Sequence, residues 1–335
     1  MNQVSNGKFY LNSKKIRKIK FSQKNLLKSK TLLAFILTTS AVMAPNARAT
    51  ENGLTHYPID VNTVAGALLP APGTGTVDIY TQWYNATSHA SGGVKVDSTV
   101  LIVSPRFLYT LPKTFSLIDG VESSATIGVI TPLVNINLHL GNQYFSKSGH
   151  TQGLGDVVLE TDLNFDKPQA GFFSYLGMDT FFPSGSYNPN KVANLGQNYR
   201  TFEPQYSVTW FPNRRLELDA GAVFDINTKN KANGYYSGAA FDSDLAVNYT
   251  AFPTILPNVN FGLQGYIYKQ FQDDTINGVS YNNGNRGQSF GIGPQMTIAM
   301  FNHRGGIDIK FTHQFSVKNQ PKGDKLWVEF AIPFA

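Results

Sequence analysis

The sequence predicts an all-β protein: a transmembrane antiparallel β-barrel of about 12 strands, within a range of roughly 10 to 14, preceded by a cleaved signal peptide. Three observations predict it: a basic and then apolar N-terminal peptide, repeated segments in which apolar and polar side chains alternate, and an apolar C-terminal strand. The 335 residues include 24 Phe, 16 Tyr and no Cys. This composition excludes a disordered chain, disulfides and Cys-based metal or thiol chemistry.

The N-terminal peptide has the three parts of a signal peptide. Residues 1–49 contain ten Lys or Arg and no acidic residue, residues 31–44 are apolar, and Ala47-Arg48-Ala49 forms an A-x-A cleavage site. We predict cleavage before Thr50, although a basic amphipathic helix remains an alternative. Without these residues the chain holds 18 basic and 22 acidic residues, 28 − 10 against 22, a net charge of −4. The basic isoelectric point therefore gives no support for nucleic-acid binding.

The segment after the cleavage site differs from the rest of the chain. Residues 50–75 contain three prolines and no clean alternation, so they should not form a barrel strand. We predict three regions: a signal peptide (1–49), a periplasmic or luminal segment (50–75) and the barrel (76–335). Two interpretations of the second region stay open. Either residues 51–73 insert into the lumen, or they form a disordered leader. Insertion would place these residues near a ligand path: His56, Tyr57, Leu68 and Leu69.

Alternation is clearest in residues 215–227, where an apolar row that includes Leu216 and Phe224 opposes an acidic row that includes Glu217 and Asp225. One face of a barrel strand meets lipid and the other meets the lumen, which requires such alternation. Aromatic residues near strand ends, among them Tyr266 with Tyr268, are expected at the membrane interface. The other predicted strands are 76–87, 98–109, 124–140, 155–165, 170–182, 198–210, 240–252, 259–271, 287–300, 305–317 and the C-terminal strand.

The same alternation assigns charged residues to the lumen. The acids predicted inside are Asp78, Asp156, Glu160, Asp162, Glu217, Asp219, Asp225, Asp242, Asp244, Asp308 and Glu329, and the bases are Arg106 and Lys310. Buried charges must be paired or hydrated, and here acids outnumber bases. Two interpretations follow: a water-filled negative pore that favours cations, or a plugged lumen in which the acids bond to polar side chains.

No motif in the sequence indicates catalysis. None of the six histidines lies in a close metal-ligand spacing, and no nucleophile elbow or phosphate-binding loop occurs. Asp273 and Asp274 lie in an Asn-rich loop without the ordered spacing of a calcium site, so we interpret this loop as solvated. We therefore expect no enzymatic activity, no cofactor and no metal. A Ser–His contact at the lipid-facing rim would favour a hydrolase instead.

The C-terminal strand, KLWVEFAIPFA, ends in Phe334 and Ala335, similar to the signal by which outer-membrane barrels enter their assembly machinery. The chain resembles the MetA-pathway phenol-degradation proteins, a family of outer-membrane barrels. The resemblance covers nearly the whole mature chain, through residues 51–73, 153–160, 194–212, 224–230, 265–295 and 319–334.

The resemblance implies an outer-membrane location in a Gram-negative cell and uptake of small hydrophobic or aromatic compounds. Lipid, lipopolysaccharide, the barrel assembly machinery and the solute are the expected partners. A structural or adhesive surface protein is the alternative, and an outer-membrane hydrolase is the third. The sequence does not identify the solute, the oligomeric state or individual binding residues.

Overall fold

The structure is a computed structural model that describes residues 55–90 and 94–334. These residues belong to one compact unit, residues 46–335. The predicted signal peptide and its cleavage site lie outside the described residues. Within the described part of the chain, no helix is long and apolar enough to cross a membrane.

The described chain consists almost entirely of β-strands joined by turns and loops. The strands are β1 (Gly75–Ala90), β2 (Val94–Thr110), β3 (Glu122–Ile130), β4 (Leu133–Gly141), β5 (Ser146–Leu154), β6 (Val157–Lys167), β7 (Phe172–Phe182), β8 (Thr201–Asn213), β9 (Leu216–Asn227), β10 (Tyr235–Tyr236), β11 (Ala240–Tyr249), β12 (Val259–Gln270), β13 (Thr275–Ile276), β14 (Val279–Ser280), β15 (Gln288–Met300), β16 (Gly305–Lys318) and β17 (Lys322–Phe334).

The sheet closes into a barrel because β1 pairs with both β2 and β17. All pairings are antiparallel, and each wall strand pairs with its neighbour in sequence. Two wall strands are interrupted: β3 continues into β4 after Thr131 and Pro132, and β5 continues into β6 after Gly155 and Asp156. Counting each interrupted pair as one strand gives a closed 12-stranded antiparallel barrel. The predicted fold class and strand number are confirmed.

The outer face of the barrel is apolar and the inner face is polar. On β11, Leu245 and Val247 point outward and are 46% and 49% exposed, whereas Asp244 and Asn248 are buried at 1% each. A soluble β-sandwich would bury the apolar row instead. Apolar side chains on the outside and carboxylates on the inside are the arrangement of a membrane barrel, whose solvent is lipid.

The two ends of the barrel differ. At one end, which we call the terminal end, the first wall strand begins and the last wall strand finishes, and Gly75 pairs with Phe334 there. The opposite end, which we call the loop end, carries the long connections 183–200, 228–239 and 271–287. The short strands β10, β13 and β14 form a separate small sheet within the last two of these loops.

One strand was not predicted, and one prediction of local structure was wrong. Residues 146–154 form β5, although SKSGHTQGL has no apolar row, because backbone pairing with β4 is sufficient at the loop end. Tyr266 and Tyr268 do not lie at the membrane interface but in the lumen, where they are 2% and 0% exposed. They continue the inward row that starts at Gln264, which is also buried.

Candidate functional site in the barrel lumen

Residues 55–74, which we call the N-terminal segment, run along the lumen from the loop end to the terminal end. At the loop end, His56 lies 2.9 Å from Asp156. At the terminal end, the N–H of Gly73 donates to the carbonyl of Thr110, at the end of β2 (2.9 Å). The segment has no regular secondary structure, so its backbone groups need partners from the wall.

Asp244 is the first of these partners. Its carboxylate accepts hydrogen bonds from the Tyr57 hydroxyl (3.1 Å) and from the backbone N–H groups of Asp60 and Asn62 (3.0 Å each). Burial raises the pKa of Tyr57 well above its ordinary value, and the Asp244 charge adds to this. Tyr57 therefore stays protonated and remains a donor to Asp244.

Two lysines bind the backbone carbonyls of the turn at residues 59–61. Lys310 donates to the carbonyls of Asp60 (3.2 Å) and Val61 (2.7 Å), and Lys325 donates to the carbonyl of Ile59 (3.0 Å). The Asp60 carboxylate accepts from Trp327 Nε1 at 2.8 Å. Asp60 is fully buried and has a φ of 72°, a left-handed conformation that Asp adopts more readily than most residues. The wall thus binds both the N–H groups and the carbonyls of this turn.

A third set of contacts lies nearer the terminal end. The Glu217 carboxylate accepts from the N–H of Ala65 (2.8 Å), and Asp219 accepts from the N–H of Gly66 (3.3 Å). The carbonyl of Thr63 accepts from the side-chain amides of two more wall residues, Asn248 and Gln295. Carboxylates therefore meet backbone N–H groups, and amide N–H groups meet a backbone carbonyl.

His56 connects the N-terminal segment to the loop end. Its imidazole lies between the Asp156 carboxylate and the Thr201 hydroxyl, 2.5 Å away, and stacks on Phe181 with a centroid distance of 4.9 Å. Asp156 also accepts from the backbone N–H groups of Gly185 and Gln197, each at 2.8 Å. One carboxylate thus joins the segment to the 183–200 loop.

Two cavities lie on either side of the N-terminal segment. The loop-end cavity has a volume of about 210 Å³, and the terminal-end cavity has a volume of about 920 Å³. Apolar side chains dominate one wall of the loop-end cavity: Val100, Ile102, Ile136, Leu138, Val158 and Phe181. The terminal-end cavity is lined by Leu68 and Leu69 of the segment and by acids that include Asp78, Glu217 and Asp308.

Arg106 forms the partition between the cavities with Tyr80, Val61 and Asn62, since all four line both. Its guanidinium donates to Glu160 (2.8 Å) and to the Tyr80 hydroxyl (2.9 Å) and lies 3.6 Å from Asp78. The side chain is 13% exposed, so these bonds are largely shielded from water. An arginine held on three sides is a rigid barrier.

The acids and bases predicted to face the lumen are all buried or half-buried on the inner wall. The structure brings Asp156, Glu217, Asp219, Asp244 and Lys310 to the N-terminal segment. Arg106 joins Glu160 to Asp78, while Asp162, Asp225 and Asp308 lie elsewhere on the wall. Sequence reasoning missed Asp60, Asp179, Glu203 and Lys325. The inward rows of β7 and β8 contain Asp179 and Glu203, so a face assignment on those strands would have found these two.

Asp274, predicted to lie in a solvated loop, is buried, and that interpretation was wrong. Its carboxylate accepts from Tyr235 (2.5 Å), the N–H of Gly238 (2.9 Å), Gln270 (2.6 Å) and Asn285 (2.9 Å). Burial raises the pKa of Asp274, and the hydrogen bonds from its donors oppose that shift. Asp274 joins the 228–239 and 271–287 loops.

One Ser–His contact occurs on the outer face. His139 Nδ1 lies 3.0 Å from Ser148 Oγ, on neighbouring strands β4 and β5, and both side chains are exposed. Asp97 is paired with His139 across β2 and β4, but its carboxylate is bound by Thr87 (2.7 Å) and Lys95 (2.9 Å). Among the described residues, no carboxylate forms an ion pair with this imidazole.

The model of one protein family matches residues 77–330, which cover most of the barrel. Its description is "Putative MetA-pathway of phenol degradation". The chain belongs to this family. The resemblance stated from the sequence is thereby confirmed.

Among solved structures, this member of the phenol-degradation family is similar to the COG4313 outer membrane channel from Pseudomonas putida F1. The two share 16% identity with a TM-score of 0.62, over 79% of this chain and 97% of that one. The translocator domain of the autotransporter NalP from Neisseria meningitidis is 10% identical, with a TM-score of 0.44 over 80% of this chain and 91% of that one. The first similarity shows the barrel fold. No curated protein sequence matches the chain.

Proposed function

We propose that this protein is an outer-membrane channel that carries small hydrophobic, in particular aromatic, compounds, and that the N-terminal segment closes it. The observation that carries this proposal is the apolar loop-end cavity inside a barrel whose inner wall is otherwise polar. An apolar cavity of about 150 Å³ is large enough to bind benzene. The loop-end cavity, at about 210 Å³, has room for one small aromatic molecule.

The location follows from the barrel and its predicted export signal. Bacterial barrels of this kind have long loops outside the cell, which puts the loop end at the cell surface and the terminal end in the periplasm. The N-terminal peptide would direct export, with cleavage near Ala49. Outer-membrane lipid, lipopolysaccharide and the barrel assembly machinery are the partners that this location requires.

Closure by the N-terminal segment is supported by the chemistry of its contacts. The segment is held mainly by hydrogen bonds that it donates to wall carboxylates and accepts from wall amides and lysines, and water can replace each of these when the segment moves. An apolar plug would lose buried surface without such compensation. The segment and Arg106 together separate the loop-end cavity from the terminal-end cavity, so transport requires this partition to open.

Uptake by cells with an intact lipopolysaccharide layer tests the proposal. Radiolabelled naphthalene is the hydrophobic probe, and arabinose is the hydrophilic comparison. Ile136→Asp puts a charge on the apolar wall of the loop-end cavity and should lower barrel-dependent naphthalene uptake by about tenfold or more. Asn137→Asp is the matched control, because Asn137 is the next residue and points outward.

Three results would contradict a hydrophobic channel. The first is naphthalene uptake that does not depend on the barrel. The second is arabinose uptake faster than naphthalene uptake. The third is equal loss of uptake in Ile136→Asp and Asn137→Asp at equal amounts of folded protein.

The Ser–His contact on the outer face favours an outer-membrane hydrolase as the second candidate. A hydroxyl 3.0 Å from an imidazole has the spacing of a nucleophile and its base. No described residue completes such a triad, because the Asp97 carboxylate is bound by Thr87 and Lys95. Lipid hydrolysis by the purified barrel that is lost in Ser148→Ala would support this candidate, and no hydrolysis by the wild type would remove it.

A further inference from the structure

Four carboxylates follow one another across neighbouring strands of the inner wall. Glu160 on β6 is paired with Asp179 on β7, which is paired with Glu203 on β8. The pairs Phe202–Ile226 and Gln205–Val223 place Asp225 of β9 opposite Glu203. Asp242 lies on the next strand, β11, where it is paired with Val223, two residues from Asp225. We call these five residues the acidic ladder.

Among the described residues, no base forms an ion pair with the centre of the acidic ladder. Like charges directly opposite each other destabilise a sheet, and the cost rises with burial. Arg106 binds the Glu160 end, and Lys325 acts on the Asp242 end. The described charges that act on Glu203 are those of Asp225, Asp179 and Asp242, and no cation among the described residues acts on Asp225.

Hydrogen bonds do not compensate either. Glu203 and Asp242 are 0% exposed, and neither oxygen of either carboxylate has a hydrogen-bond partner among the described residues. By contrast, the luminal acids that contact the N-terminal segment each accept two or more hydrogen bonds, as Asp244 and Asp156 do. The acidic ladder is therefore a distinct site on the wall.

A non-acidic side chain provides an independent observation. Tyr268 of β12 is paired with Asp242 across the two strands. It is 0% exposed, and its hydroxyl has no hydrogen-bond partner within the described part of the chain. The charges that act most strongly on this hydroxyl are those of Asp225 and Asp242. A buried tyrosine hydroxyl is ordinarily bonded, so this one points to a missing partner.

We propose that the acidic ladder binds a divalent cation of the calcium type through Glu203, Asp225 and Asp242, with the Tyr268 hydroxyl beside it. Calcium takes carboxylate and other oxygen ligands at about 2.3–2.6 Å in flexible geometry. Glu203 and Asp225 are opposite each other, and such pairs have Cβ atoms about 4.5–5.5 Å apart, whereas Asp242 is a diagonal neighbour of Asp225, at a spacing of about 7–8 Å that longer side chains still bridge. As the described side chains stand, no three His, Cys, Asp or Glu residues are arranged around one metal position. Binding therefore includes a change of rotamer in the ladder.

Terbium luminescence tests the site, because terbium replaces calcium and is excited through a nearby tyrosine. The full mature chain, refolded in a zwitterionic detergent without lipid phosphate, is titrated with terbium and then with calcium. We expect saturable emission that calcium displaces. The double variant Glu203→Gln/Asp225→Asn should lower the affinity by about tenfold or more. Asp119→Asn, an exposed acid in the loop between β2 and β3, is the matched control and should bind as the wild type does.

Thermal unfolding gives a second readout that does not depend on emission. Calcium should raise the Tm of the wild type and of Asp119→Asn, and should have a smaller effect on the double variant. If the double variant does not fold, Asp242→Asn replaces it. Absence of saturable terbium binding to the wild type overturns the proposal, because protons alone would then neutralise the ladder. Equal affinity in the wild type and the ladder variant also overturns it.

Discussion

Removal of the Asp244 carboxylate should release the N-terminal segment from the wall. Asp244 accepts three hydrogen bonds from the segment, from Tyr57 and from the backbone of Asp60 and Asn62. A hydrogen bond to a charged group contributes about 1.5–3 kcal/mol. Even if water restores part of this, Asp244→Ala should shift the equilibrium between bound and released segment by about 3 kcal/mol, which is more than about a hundredfold.

Cysteine labelling measures this shift directly, because the chain has no cysteine of its own. Thr63 is fully buried, and its hydroxyl has no hydrogen-bond partner among the described residues, so Thr63→Cys is a mild substitution. A maleimide should modify Cys at this position slowly in the wild-type background and about a hundredfold faster with Asp244→Ala. Asp97→Ala, on the outer face, should leave the rate unchanged. Equal rates in the Asp244→Ala and wild-type backgrounds would refute the role of the carboxylate.

Three further predictions concern the partition, the loops and a buried ion pair. Arg106→Ala should join the two cavities and raise single-channel conductance, whereas Arg304→Ala, at the rim of the terminal-end cavity, should change it little; equal conductance would show that Arg106 is no barrier. Asp274→Ala removes the acceptor of four hydrogen bonds. It should speed proteolysis within the 228–239 and 271–287 loops without lowering the Tm of the barrel. An unchanged rate of proteolysis would contradict the conclusion that Asp274 joins the two loops. The Lys310 ammonium lies 2.6 Å from the Glu329 carboxylate. Lys310→Met leaves this buried carboxylate without its partner and should lower the free energy of unfolding by about 3–5 kcal/mol. A loss below about 1 kcal/mol would mean that the pair contributes little.

The alternation of side chains was sufficient to predict the barrel. In β9 the apolar and acidic rows of the sequence are the outer and inner faces of the wall, because lipid and lumen impose the same period on every strand. β5 escaped prediction because its residues lie at the loop end, where neither face requires apolar side chains. Tyr268 was assigned to the membrane interface because a tyrosine is compatible with both the lipid-facing and the luminal row. The alternation alone therefore does not decide which face it occupies.

The site was less accessible from the sequence. The alternation placed Glu217 and Asp244 inside, but it could not say that they would bind the backbone of the N-terminal segment. Such contacts join residues far apart in the chain: Lys325 and Asp60 are separated by 265 positions. The path of the segment depends on backbone donors and acceptors, which every residue carries and which therefore leave no trace in the sequence.

Single-channel conductance of the refolded mature protein, with and without residues 51–73, tests most directly whether the N-terminal segment closes the channel. We predict small or no steady current for residues 50–335 in a planar bilayer, and a large, steady current after the deletion. The acids exposed by the deletion should make that current cation-selective. Equal conductance of the two proteins, with both barrels correctly folded, would contradict closure by the N-terminal segment.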